Sequence, residues 1–141
     1  MKWSVDELEK YEGAKEYFDT LMIPLISLPL GQVGVEAAKE YKWLDEICNY
    51  SERQLTGRVL LLPVYYQFEQ DFFVPALMND DFRYKILITT NQTWYEKLQD
   101  NGISCYLINR KNDEENLAEI VKEGKKLTKA IMEHWKNEIS E

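Results

Sequence analysis

Three apolar blocks punctuate the chain, and stretches of helical periodicity separate them. Leu21 to Leu28, Arg58 to Tyr66 (core Val59-Leu60-Leu61-Leu62) and Lys85 to Thr90 (core Ile86-Leu87-Ile88) are close to continuously apolar. A strand wetted on one face alternates apolar and polar residues, whereas a strand covered on both faces reads as an unbroken apolar block. Blocks of this length between helical segments predict a mostly parallel sheet sandwiched by helices.

The helical segments follow from spacing and capping signals. Ser4 and Glu7 form a capping-box pair, and Val5, Leu8, Tyr11 and Phe18 then share a face, so a first helix is expected from Ser4 to about Phe18. A second helix is expected from the Gly31–Gly34 turn to about Leu55, with Val35, Ala38, Trp43, Leu44, Ile47 and Cys48 inward and a break near Tyr50. Gly57 suits the turn after it. The second strand is expected to end near Pro63, with a short helix at about Val74 to Asn79 as crossover. Thr93 and Glu96 are expected to cap a third helix ending at Asn101-Gly102, followed by a fourth strand, Ile103 to Asn109. Pro24 lacks a ladder donor, which argues against the first strand lying at the sheet's centre.

The last helix carries the stripe Leu117, Ile120, Val121, Gly124, Leu127, Ile131 and Trp135. From Asp113 to Glu138 it would run ~39 Å at ~1.5 Å per residue. A strand of mean length spans only ~17–20 Å, so its final turns are expected to overhang the sheet. Ile131 and Trp135 then need covering, by the first helix or by a second subunit. The expected architecture is a single three-layer α/β domain over residues 1–141. It has four mostly parallel strands in the flavodoxin-like order 2-1-3-4, an extra N-terminal helix and a long C-terminal helix.

That architecture directs the search for chemistry. Ligands of open α/β sheets bind beyond the carboxyl ends of the strands, beside helix N-termini. Ser27 to Gln32, Tyr65 to Gln67, Thr89 to Thr93 and Asn109 to Asn112 should lie there. Thr89, Thr90, Asn91 and Thr93 are the candidate anion-binding residues, although helix capping uses the same residue types. Gln32, beside Gly31-x-x-Gly34, is a further candidate, but the spacing matches no dinucleotide or P-loop fingerprint. Asp80-Asp81 precedes the third strand and so falls at the opposite end, as a solvated turn. Glu69 and Asp71 are thin grounds for acid–base work. His134 is expected on the surface, and Cys48 and Cys105 are expected as buried small apolar residues. The aromatic cluster Tyr65, Tyr66, Phe68, Phe72 and Phe73 suits core packing over an exposed patch. No catalytic residue, metal set or cofactor motif is identified.

Charge and composition narrow the partners. The 141 residues carry a formal charge of -8, which disfavours nucleic acid and anionic membrane surfaces. Leu21 to Leu30 is too short for a membrane span and is interrupted by Pro24 and Pro29. The opening residues contain no apolar signal segment. With 2 cysteines at no metal-ligand spacing, a reduced cytoplasmic setting is expected.

Asp19-Thr20-x-x-Ile23-Pro24-Leu25-Ile26 with Gly31-Gln32 forms one distinctive block. Glu52-Arg53-Gln54-Leu55-x-Gly57-Arg58-Val59-x-x-Leu62-Pro63 forms a second. With Met1-Lys2-Trp3 and Ala14-Lys15-Glu16-Tyr17, they resemble the YpiF-like family of uncharacterised bacterial proteins. The resemblance covers most of the first half of the chain. It implies a cytosolic protein of Gram-positive origin and transfers no catalytic residue. It singles out Arg53, Gln54 and Arg58, and Arg53 or Arg58 is expected to pair with an acid of the first helix. The leading functional expectation is a non-enzymatic interaction or regulatory protein, self-associating as a homodimer through Ile131 and Trp135. The alternative is a binder of, or enzyme acting on, a small anionic metabolite at the carboxyl ends of the strands.

Overall fold

The computed structural model describes residues 1–28, 33–68, 79–109 and 117–139. Helix α1 (Val5–Glu12) and a 3-10 turn (Lys15–Tyr17) lead into strand β1 (Thr20–Leu28). Helix α2 (Val35–Gln54), strands β2 (Val59–Leu61), β3 (Tyr65–Phe68) and β4 (Tyr84–Thr89), helix α3 (Gln92–Asp100), strand β5 (Cys105–Leu107) and helix α4 (Leu117–Ile139) follow. Among the described residues every strand pairing is parallel. The sheet runs β2-β1-β4-β5, and β3 also pairs with β1.

β2 and β3 are two halves of one sheet position. β2 pairs with Thr20 to Met22, and β3 pairs with Leu25 to Leu28. Counted as one interrupted strand, they restore the order 2-1-3-4. Pro24 explains the interruption, and its expected exclusion from the sheet's centre is overturned, because β1 is central. In a parallel ladder the amide and carbonyl of one residue face the same neighbour. The Leu62 amide donates to the Met22 carbonyl at 3.0 Å, and the Thr20 amide to the Arg58 carbonyl at 3.3 Å, so even-numbered residues of β1 face β2 and β3. The missing donor of Pro24 therefore points at the gap around Pro63, where no ladder bond is needed. Its other neighbour, Ile88 of β4, stays in register.

Alternation along β1 and β4 builds a core on each face. Met22, Ile26, Ile86 and Ile88 pack with Trp43, Leu44 and Ile47 of α2 and with Leu127, Ile131 and Trp135 of α4. Leu21, Ile23, Leu25 and Leu87 pack with Tyr11 of α1 and with Trp94 and Leu98 of α3. Helices thus cover both faces. Gly124 allows α4 to approach α2 closely, since a Cβ there would fall 2.8 Å from Tyr50 Cγ and nearer still to Cδ1. Gly57 turns the chain from α2 into β2 at a φ of 94°, a conformation that disfavours any side chain.

Several local expectations change. The first helix stops at Glu12, and Val5 and Val35 are exposed. α2 runs without a break at Tyr50. The second strand resumes beyond Pro63, so Tyr65 to Gln67 lie in β3. Asn91, not Thr93, caps α3, accepting from the Trp94 amide at 2.9 Å. Leu117 is exposed, unlike the rest of its stripe. The expected crossover helix at residues 74–79 falls mostly outside the described residues.

Candidate functional site

The two chain crossovers out of β1 and β4 diverge. β1 leads through α2 to β2 on one side, and β4 leads through α3 to β5 on the other. The carboxyl ends of these adjacent strands therefore form the topological switch point, where the diverging chain leaves a crevice. Thr90 Oγ donates to Glu40 Oε1 at 2.6 Å, which brings the beginning of α2 to this end of β4. The stacked rings of Tyr41 and Tyr66, 6.1 Å apart, fix α2 to β3 beside it.

Two helix N-termini meet this region, and they differ. That of α3 is capped by Asn91, whose own amide donates to Thr89 Oγ at 3.1 Å. That of α2 begins at Gly34, and no side chain caps it. Backbone donors in the first turn of a helix lack partners within the helix and favour negative charge. The start of α2 therefore offers N–H groups that no side-chain cap consumes.

Ser27 supplies the most telling polar group. It follows Leu21, Ile23 and Leu25 on the α3 face and sits two residues beyond Leu25, the register partner of Thr89. The residue is 7% exposed, and its Oγ has no hydrogen-bond partner. Trp43 Nε1, three residues along α2 from Glu40, is likewise buried without a partner. A buried polar atom left unpaired costs about 1–3 kcal/mol, so each such atom calls for a reason.

The sequence candidates distribute as follows. Thr89 is buried and serves the α3 turn, Thr90 is half-buried and holds Glu40, Asn91 is the α3 cap, and Thr93 is exposed in the first turn of α3. Gln32, Glu69, Asp71, Phe72 and Phe73 lie outside the described residues, as does the Phe68 side chain. Ser27 is expected at a strand end but not among the candidate residues, although it is the one polar residue of the run Leu21 to Leu28. Glu40 gives no local signal, because its contact lies 50 positions away.

The opposite end of the sheet is closed. Arg58 pairs with Asp19 through Nε–Oδ1 at 2.9 Å and Nη2–Oδ2 at 3.0 Å. Asp19 precedes β1 rather than lying in the first helix, so the expected arginine pair forms with a different acid. Thr20 Oγ donates to Asp19 at 3.0 Å and accepts from Trp135 Nε1 at 2.8 Å. The Arg58 guanidinium lies 3.6 Å from the Trp135 ring centroid, which closes the circuit. The Met1 ammonium pairs with Glu52 and donates to the Val59 carbonyl at 2.9 Å.

Ile131 and Trp135, expected to need an outside cover, are 1% and 8% exposed and are covered by their own chain. Ile131 packs into the core beside β1 and β4, and Trp135 bonds to Thr20 of β1, so neither residue is free to form a partner surface. His134, expected on the surface, is half-buried and meets Tyr84 edge-on with centroids 5.6 Å apart. It lines a cavity of about 220 Å³ with Ile86, Ile103, Cys105 and Ile131. Burial pushes the Cys105 thiol up to about 12 and the Cys48 thiol higher still, so both stay protonated near neutrality. Asp45, followed by burial, raises the Tyr41 phenol. Among the described residues no group of three His, Cys, Asp or Glu could hold a metal ion, and no helix is long and apolar enough to cross a membrane.

A family model described as Protein of unknown function (DUF2487) matches residues 9–135. The chain is 30% identical over 101 residues to the uncharacterised protein YpiF of Bacillus subtilis (strain 168), covering 67% of this chain and 68% of that one. No solved structure matches the chain significantly.

Proposed function

The chain belongs to this DUF2487 family, whose function is unknown, and from that premise we propose that it is a small-molecule-binding protein. Its ligand is an anionic metabolite that also carries a hydroxyl or amino group, seated at the switch point between β1 and β4. The single observation that carries this reading is Ser27 Oγ, buried and unpartnered at the carboxyl end of β1, the end at which open α/β sheets bind ligands. A ligand hydrogen bond would supply the missing partner. The uncapped start of α2 suits the anionic group, and Glu40, already accepting from Thr90, suits a ligand donor.

The partner reading has less support than the sequence alone suggests, because its two anchor residues are covered within the chain. A cytoplasmic setting is supported by the free thiols of Cys48 and Cys105. The test is a thermal-shift panel of nucleotides, sugar phosphates and organic acids on the native protein and on Ser27→Ala. A true ligand at ~100 times its dissociation constant adds ~2.7 kcal/mol to stability. That raises the midpoint by a few degrees in the native protein. The same compound should do far less to Ser27→Ala. A panel that moves neither protein, or moves both equally, contradicts the reading.

A further inference from the structure

Two surfaces on opposite faces of the sheet carry opposite charge at matching intervals. On one side, Trp3, Val5, Leu8, Glu9 and Glu12 line a groove of about 500 Å³ along α1. Trp3 is 56% exposed and Val5 75%, which is unusual for large apolar side chains so close together. On the other side, a groove of about 360 Å³ lies between α2 and α4, with three lysines (Lys125, Lys129 and Lys136) against one acid (Glu133) and Met132 along α4, and Tyr50 and Gln54 along α2. Met132 is 46% exposed. Lys125 and Lys129 make no ion pair among the described residues, and they stand out in a chain whose formal charge is -8.

The spacings fit in one direction only. Glu12 and Glu9 occupy neighbouring turns of α1, as Lys125 and Lys129 do on α4. Val5 lies seven residues before Glu12, and Met132 lies seven after Lys125, about 10.5 Å in each case at ~1.5 Å per residue. Laid antiparallel, Glu12 meets Lys125, Glu9 meets Lys129, and Val5 with Trp3 meets Met132. A parallel arrangement would set the apolar end against the lysines.

We propose that the α1 surface of one molecule docks into the α2–α4 groove of a second copy. α1 packs on the face of the sheet opposite α2 and α4, so one pair of molecules cannot make the contact twice. The interaction is head-to-tail and propagates instead of closing as a two-fold dimer. Each surface is built on only a few side chains of one or two helices, so the association is weak and concentration-dependent. The Glu12–Lys15 contact, 3.3 Å and largely exposed, is a modest competitor.

Sedimentation equilibrium at ~0.1 M salt tests it, where the Debye length of ~10 Å screens net repulsion but not contact pairs. The mass average should climb from 16.8 kDa past twice that value as concentration rises, without a plateau at the dimer. Lys125→Glu/Lys129→Glu and Glu9→Lys/Glu12→Lys should each weaken association by about tenfold or more, because like charges then face each other. An equimolar mixture of the two variants should recover it, since each supplies the complement of the other at both surfaces. Circular dichroism and unchanged thermal midpoints confirm that both variants fold. A monomer at every concentration, a plateau at the dimer, undiminished association of either variant, or a mixture that stays monomeric overturns the proposal. Capture of a polyglutamate peptide by an otherwise monomeric protein also overturns it, since the groove would then serve another occupant.

Discussion

The two ends of the sheet use polar groups in opposite ways. At the amino end, Arg58, Asp19, Thr20 and Trp135 form a closed circuit, and the Met1 ammonium is held by Glu52 and Val59. At the carboxyl end, Ser27 Oγ and Trp43 Nε1 lack partners, and α2 starts without a side-chain cap. Folding alone rewards the first arrangement, because a satisfied network fixes the ends of β1, β2 and α4 together. It penalises the second. Under the proposed function the amino end would serve stability and the carboxyl end binding, a division common in proteins that hold strain or unmet polar groups at working sites.

The sharpest way to break this contrast is to remove the centre of the closed circuit. Trp135→Ala should cost about 3–5 kcal/mol in urea unfolding, the range for deleting a buried tryptophan, while leaving ligand-induced shifts intact. A mild loss would show that the circuit is ornamental.

Alkaline pH probes the core between the ends. Burial raises the Cys48 thiol above its ordinary 9.0, so the folded state keeps a proton that the unfolded state loses. The stability tied to this group is complete below pH 9.0 and falls as pH rises. The slope for one such thiol is about 1.4 kcal/mol per pH unit. Cys48→Ala should flatten the decline seen in unfolding curves taken from pH 8 upward, and an unaltered decline would place its origin elsewhere.

Arg58→Ala should cost about 1–2 kcal/mol, combining a half-exposed ion pair with a cation–π contact. An unchanged thermal midpoint would deny Arg58 a structural role. The smallest effect should have the opposite sign. Ser27→Ala should leave the unliganded protein unchanged or more stable by up to ~1 kcal/mol, since it removes an unpaired buried hydroxyl. A loss of 1 kcal/mol or more would mean that the hydroxyl already has a structural partner, and the contrast between the ends would weaken.

Much of the fold was legible because burial on both faces leaves a direct trace. The blocks around Met22, Leu60 and Leu87 are close to continuously apolar, and the structure makes each a strand of a parallel sheet. What escaped depends on distant neighbours. Pro24 looked unfit for a central strand because its tolerance comes from a break in the next strand, near Pro63. The stripe holding Ile131 and Trp135 was readable, but the surfaces that cover it come from β1, α2 and β4, far along the chain, as the bond from Trp135 to Thr20 shows. The candidate site was half legible. The turn from Thr89 to Asn91 announced itself through hydroxyl and amide residues, whereas Glu40 joins it only through the fold. Ser27 carried a signal, a lone hydroxyl in an apolar run, whose meaning emerged once its missing partner was known.

Amide chemical-shift mapping by ¹H–¹⁵N NMR compares both ends in a single titration with the ligand found by thermal shift. Perturbations should concentrate at Ser27, Val35 to Glu40 and Thr89 to Thr93, while Asp19, Thr20 and Arg58 stay still. Shifts confined to the amino end, or to the cavity beneath β5, would contradict the assignment of binding to the switch point.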